Sequence, residues 1–157
     1  MDWETPVANF PLKVVYSDGV EVQNGNRVTR TQAGNKPSVS WNADPNKTYL
    51  LAMMDPDAPS RYLPFLGEVL HWMVINVKGG NVTRGEEVVP YGPPGPPPGL
   101  GAHRYVFLVY EQPELITVDE QMKTSRLARI RYSIQDFAKK HNLGNPVAKN
   151  YFQTTFF

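Results

Sequence analysis

The chain has 157 residues, no cysteine, and sixteen Lys and Arg against fifteen Asp and Glu, for a formal charge of +1. That length suits one domain, able to bury roughly two-thirds of its unfolded surface. The missing cysteines exclude disulfide frameworks, thiolate metal sites and thiol nucleophiles, and the balanced charge excludes global steering toward nucleic acid.

Near the N-terminus, Met1-Asp2-Trp3-Glu4 lacks the basic patch and apolar run of a secretory signal, so a cytosolic, monomeric protein is expected. Val14-Val15-Tyr16, the turn Ser17-Asp18-Gly19 and Val20-Glu21-Val22 read as a hairpin. Val39-Ser40-Trp41 alternates as a half-buried strand does. Thr48 to Met54, His71 to Val77 and Arg104 to Glu111 are apolar on both faces and are expected to be central strands. Short strands with turn signals between them predict a β-sandwich or barrel. None of the apolar runs is long enough to span a bilayer as a helix. Two sequons, Asn46-Lys47-Thr48 and Asn81-Val82-Thr83, are expected to go unused in a cytosolic chain.

One helix is predicted. Ser133 caps it, Ile134, Phe137 and Ala138 share a face, and Lys139, Lys140 and His141 place positive charge in its last turn. Asn142-Leu143-Gly144 and Pro146 end it. A short extra turn is expected over Asp119 to Met122.

Pro90 to Gly101 is the compositional outlier. Its prolines stiffen a loop between two strands, and its glycines allow backbone to approach a ligand closely. Three segments then concentrate polar chemistry. They are Asp55-Pro56-Asp57-Ala58-Pro59-Ser60-Arg61, His71, and the loop running into His103-Arg104-Tyr105. If the strand ends meet, two carboxylates, two imidazoles and a tyrosine wall one pocket. Asp55 and Asp57 would orient His71 or His103, and the opposite ring nitrogens would donate to a phosphate. A remaining carboxylate would receive an ammonium. Each part also has a plainer reading: Asp-Pro-Asp is commonly an Asx turn, and Arg61 and Arg104 pair with Asp or Glu. A Ser60 triad lacks the nucleophile elbow, and the scattered His and Asp lack metal-site spacing, so no catalytic residue, metal or cofactor is expected. The Ala58-Pro59 bond is expected to be cis, because the segment must turn sharply at an X–Pro bond.

Together, Asp55 to Arg61, His71 and Gly99-Leu100-Gly101-Ala102-His103-Arg104-Tyr105 resemble the paired signature of the phosphatidylethanolamine-binding proteins, the family of the Raf kinase inhibitor protein. Pro37 to Trp41, Val109 to Gln112 and Asn145 to Ala148 resemble its flanks, and the similarity runs from about Leu12 to Phe152. The resemblance implies a mainly β fold, a β-sandwich of two antiparallel sheets with a few peripheral helices, as a single domain over 1–157. It implies a surface pocket for phosphate, acetate or a phosphoethanolamine-like head group, lined by Asp55, Asp57, Pro59, His71, Gly95, Pro96, Pro97, His103 and Tyr105. The implied partners are lipid head groups, with peripheral membrane contact, and a kinase or serine protease that the protein would inhibit, in place of an enzymatic activity. The sequence departs from the family in carrying Val69-Leu70 before His71, a more proline-rich loop, and an end at Thr155-Phe156-Phe157 without an extended C-terminal helix.

Overall fold

The structure is a computed structural model and describes residues 1–118, 120, 123 and 127–157. The turn expected over Asp119 to Met122 lies for the most part outside them.

Among the described residues eight strands follow in chain order: β1 Leu12–Val15, β2 Asn26–Arg27, β3 Ser38–Trp41, β4 Thr48–Ala58, β5 Gly67–Lys78, β6 Glu86–Val89, β7 His103–Gln112 and β8 Ala148–Thr154. A helix, α1, spans Ile134–Lys140. Six strands form one sheet in the order β2-β8-β7-β4-β5-β6, and β1 pairs with β3 in a second. The expected mainly β, two-sheet architecture is therefore present. Its pairing is antiparallel except where two-residue β2 runs parallel to β8. The three runs expected to be central are β4, β5 and β7, and each has a neighbour on both sides.

Their double-sided apolar character follows from what covers them. Tyr49, Leu51 and Met53 of β4 join Phe107 and Val109 of β7 in a core shared with Leu12 and Val14 of β1. The alternate residues Leu50, Ala52 and Met54 join Val106, Leu108, Ile134 and Ala138 in a second core beneath α1. Both faces of the strand thus leave water, so a period of two is invisible in its hydrophobicity.

The first hairpin is shorter than expected. Tyr16 and Val20 close the Asp-Gly turn, and only the bridge between Val15 and Glu21 follows. α1 begins as predicted, with the Ser133 hydroxyl accepting the Asp136 N–H at 3.1 Å. At its other end the His141 ring lies 4.4 Å from that of Phe137. Burial and the adjacent Lys140 lower the His141 pKa, so Lys139 and Lys140 supply the charge there.

Candidate functional site

Antiparallel pairing brings the end of β4 beside the starts of β5 and β7. The β4–β7 ladder stops at Met54 and Val106, and the β4–β5 register breaks between Asp55 and Ala58. Beyond those points side chains replace the backbone ladder. Asp55, Asp57, His103 and Tyr105 continue the face carrying Met53 and Phe107, so these polar groups cap one core layer.

Asp55 makes the Asx turn that its sequence suggested: its Oδ1 accepts the Asp57 N–H at 2.8 Å. Its Oδ2 accepts from His103 Nδ1 at 2.8 Å. The other ring nitrogen of His103 faces the Pro59 carbonyl at 2.7 Å. Both partners only accept, so both nitrogens must carry protons and the ring is an imidazolium. Burial opposes that charge, but the hydrogen bond to Asp55 and its carboxylate outweigh burial and raise the His103 pKa. The nitrogen that the sequence reading reserved for a phosphate is therefore occupied within the protein. The Ala58–Pro59 peptide bond is cis, as expected.

Asp57 is fully engaged as well. Its Oδ2 accepts the Arg104 backbone N–H at 2.8 Å and the Arg104 Nε–H at 3.0 Å, while Oδ1 accepts from Nη2 at 2.8 Å. Arg104 also reaches Glu4 at 3.3 Å, and Glu4 meets Arg61 at 3.1 Å. The plainer expectation for both arginines, pairing with acidic groups, describes them. Asp57 orients an arginine and a strand start, not an imidazole.

His71 is arranged differently. Its Nδ1 lies 2.8 Å from the Gly92 carbonyl, while its own backbone carbonyl accepts the Gly92 N–H at 2.7 Å. Nδ1 therefore donates, and Nε2 is an acceptor while the ring is neutral. Among the described residues no hydrogen bond engages Nε2. Burial lowers the His71 pKa, and Arg129 and His103 lower it further against the pull of Gly92 and Asp55. The Tyr105 ring ties the two histidines together, edge-on to His71 at 5.3 Å and stacked on His103 at 6.2 Å. Burial, then the charges of Asp55 and Asp57, push the Tyr105 hydroxyl far above the ordinary phenol range.

The proline-rich loop approaches from above. Tyr91 pins its start, donating to the Ala33 carbonyl at 2.7 Å with its hydroxyl 2.8 Å from that of Tyr16. The Gly95 backbone meets the Tyr105 hydroxyl. Pro96 is buried and Pro97 half-buried beside it. Gly99 and Gly101 return the chain to β7 with φ of 79° and 80°, a left-handed conformation that costs glycine nothing.

The structure thus brings Asp55, Pro59, His71, Gly95, His103 and Tyr105 into one cluster, with Asp57 at its edge held by Arg104. The sequence reading missed Arg129. Its Nη1 lies 3.8 Å from where a Cβ on Gly92 would stand, a point 3.7 Å from His71 Nδ1. No sequence signal ties position 129 to position 71. Among the described residues no group of three or more His, Asp and Glu side chains is placed to hold a metal. A separate cavity of about 690 Å³, between Asp2, Tyr110, Lys139 and Lys149, shares no residue with the cluster.

The chain is similar to several known proteins. A 26 kDa secreted antigen of Toxocara canis is 38% identical over 145 residues, which cover 91% of this chain and 55% of that protein. The chain therefore spans about half the length of that relative. A putative odorant-binding protein A5 of Drosophila melanogaster is 35% identical over 145 residues, covering 91% of this chain and 69% of that one. A crystal structure of carboxypeptidase Y inhibitor complexed with its cognate proteinase superposes with a TM-score of 0.77 at 27% identity, over 94% of this chain and 84% of that one. The names of the first two relatives give the expected cytosolic location no support, and no helix among the described residues is long and apolar enough to cross a membrane. The family model described as phosphatidylethanolamine-binding protein matches residues 18–152, and the chain belongs to the phosphatidylethanolamine-binding protein family.

Proposed function

We propose that the chain binds a small anion, of which a phosphoethanolamine-like head group is one, on the His71 side of the cluster. One observation carries this reading: His71 is held by Gly92 through Nδ1, so its Nε2 edge is oriented without being occupied by a described residue. An entering anion would accept from Nε2 once the ring is protonated, and the cations His103 and Arg129 act on the same ring. The Asp55 and Asp57 carboxylates are matched by His103 and Arg104, which lessens their repulsion of an anion. The protein acts by binding, with no bond-making step assigned to it. The test is an NMR titration of the histidine ring resonances with phosphoethanolamine and with acetate. A shift at His71, with His103 moving little, supports the reading; unchanged His71 resonances at saturating ligand would end it.

A second reading, inhibition of a protease, is favoured by the likeness to carboxypeptidase Y inhibitor. It is checked by adding the chain to a serine carboxypeptidase assay. The relative named a secreted antigen also favours an extracellular setting. Both sequon asparagines, Asn46 and Asn81, are exposed and would be open to glycosylation there.

A further inference from the structure

The cavity of about 690 Å³ lies on the opposite face of the large sheet from the histidine cluster, since Tyr110 in its lining belongs to the core layer beneath α1. Three walls enclose it, and each is tied to the body of the protein. The first is α1 with the turn after it, where the Phe137, Ala138 and Lys139 carbonyls accept the N–H groups of His141, Leu143 and Asn142. The second is the segment before β8, held by the Val147 N–H on the Val109 carbonyl at 2.7 Å. The third is the arm before β1. Lys149 Nζ donates to the Asp2 carbonyl at 2.8 Å, and Glu4 meets Arg61 and Arg104. The helix presents Ala138 to this space, a side chain too short to fill it.

The lining combines two chemistries. Val7, Ala138 and Pro146 are apolar, while Lys139 and Lys149 bring positive charge. Among the described residues neither lysine has a carboxylate within ion-pair distance, whereas Lys36, Lys47 and Lys123 each have one. The Lys149 bond to Asp2 uses one of three ammonium protons. Among the described lining residues Asp2 is the one acid, and its carboxylate already accepts the Glu4 and Thr5 N–H groups at 3.0 and 3.1 Å. Two lysines against one aspartate leave a single positive charge, which suits a monoanion better than a phosphate dianion.

Tyr110 adds a donor. Its side chain is 1% exposed, and among the described residues no hydrogen bond engages its hydroxyl. Burial, then Glu68, pushes that hydroxyl far above the ordinary phenol range, so it stays protonated. The β7–β8 register sets Lys149 opposite Leu108, so Lys149 and Tyr110 stand one pair apart on the same face. An apolar cavity of this size with a few convergent polar groups is suited to a small organic ligand. At the end of α1 the carbonyls that would repel an anion are already occupied.

We propose that this cavity is a second binding site, which takes a small amphipathic carboxylate. Lys139, Lys149 and the Tyr110 hydroxyl donate to its head, and its apolar body lies against Val7, Ala138 and Pro146.

The test is an NMR titration with octanoate, read at the Val7 and Ala138 methyl groups and at the His71 ring. Octanoate should move both methyl signals saturably. Acetate and octanol each lack one half of the ligand, and should bind there at least about tenfold more weakly. The double variant Lys139→Gln with Lys149→Gln should lose at least about tenfold in octanoate affinity, and Tyr110→Phe about threefold. Lys140→Gln, next in sequence but outside the lining, should bind as wild type does. Lys149 also ties down the arm. Should the double variant fail to fold, Lys139→Gln alone, at an exposed position, should still weaken binding about threefold.

Octanoate that leaves both methyl signals unmoved overturns the second site. Equal affinity in wild type and the folded Lys139→Gln variants overturns it too, as does equal weakening by Lys140→Gln. Octanol binding as tightly as octanoate overturns the carboxylate class. The His71 ring keeps the two sites apart. A His71 response to acetate with unmoved methyls removes the second site alone. Saturable methyl shifts that persist in His71→Gln, without a His71 response in wild type, keep the second site and remove the first.

Discussion

The two histidines of the cluster pack against one tyrosine, one edge-on and one stacked, and have opposite chemistry. His103 is saturated: both nitrogens face acceptors, and its pKa is raised. His71 is anchored by one nitrogen, and its pKa is lowered. The first belongs to a block of matched charges that includes Asp55, Asp57 and Arg104. The second faces the loop that begins at Tyr91. A shared location does not give two imidazoles a shared task. One closes the end of the sheet, and the other is left with something to offer a ligand.

Arg104 matters most to the block of matched charges. Arg104→Ala strands the buried Asp57 carboxylate and should destabilise the fold by about 3–5 kcal/mol. Urea unfolding measures this, and a loss below about 1 kcal/mol would mean that the Asp57 pair is ornamental. His103→Ala leaves Asp55 without its cation and should cost about 2–3 kcal/mol of stability. If its stability were unchanged while anion affinity collapsed, the roles assigned to the two rings would have to be exchanged. His71→Ala should do the reverse. It should alter stability by less than about 1 kcal/mol but weaken acetate binding by about 1.5–3 kcal/mol, the value of a hydrogen bond to a charged group. Isothermal titration of the variant decides it.

The smallest effects concern pH, and they sharpen the contrast most. The folded pKa of His103 lies above the unfolded value, so its contribution to stability is complete below about pH 6.5 and is lost as pH rises through the raised value. The folded pKa of His71 lies below, so the neutral ring's contribution is complete above about pH 6.5 and is lost as pH falls toward the lowered value. Urea midpoints of His103→Gln and His71→Gln should therefore diverge from wild type at opposite ends of the range. Binding should draw a proton to His71 alone. Acetate affinity should rise as pH falls toward the lowered His71 value, and this dependence should vanish in His71→Gln. Phosphoethanolamine would mix in its own ionisation near about pH 6, so acetate is the cleaner probe.

Much of this was legible in the sequence for identifiable reasons. β4, β5 and β7 announced themselves because strands buried on both faces read as unbroken apolar runs. α1 was marked by Ser133 at its start and by Ile134 and Ala138 on its inner face. Asp-Pro-Asp read correctly as an Asx turn and, with His103 and Tyr105, as part of one cluster. The state of that cluster was hidden. Nothing in the sequence says that the Pro59 carbonyl turns toward His103, because a backbone acceptor looks the same at every position. The Asp57–Arg104 pair joins positions 47 apart, and position 129 comes near the cluster at Gly92, from far along the chain. β2 was invisible because two residues carry no period. The exposure of Tyr62, Leu63 and Phe65 was silent for another reason: apolar letters signify core until exposure is known.

The bond from Asp57 to the Arg104 backbone has a consequence for reading variation in this chain. Where the β4–β7 ladder ends, a carboxylate takes the place of a strand partner, so Asp57 supports secondary structure by its side chain. A library selected only for soluble expression, with no ligand present, should therefore retain Asp57 and vary Arg104 only together with it. His71 should drift freely in the same library. Invariance at Asp57 would then record the architecture of a sheet end, and a substitution map would need a separate selection for binding before it pointed to the ligand.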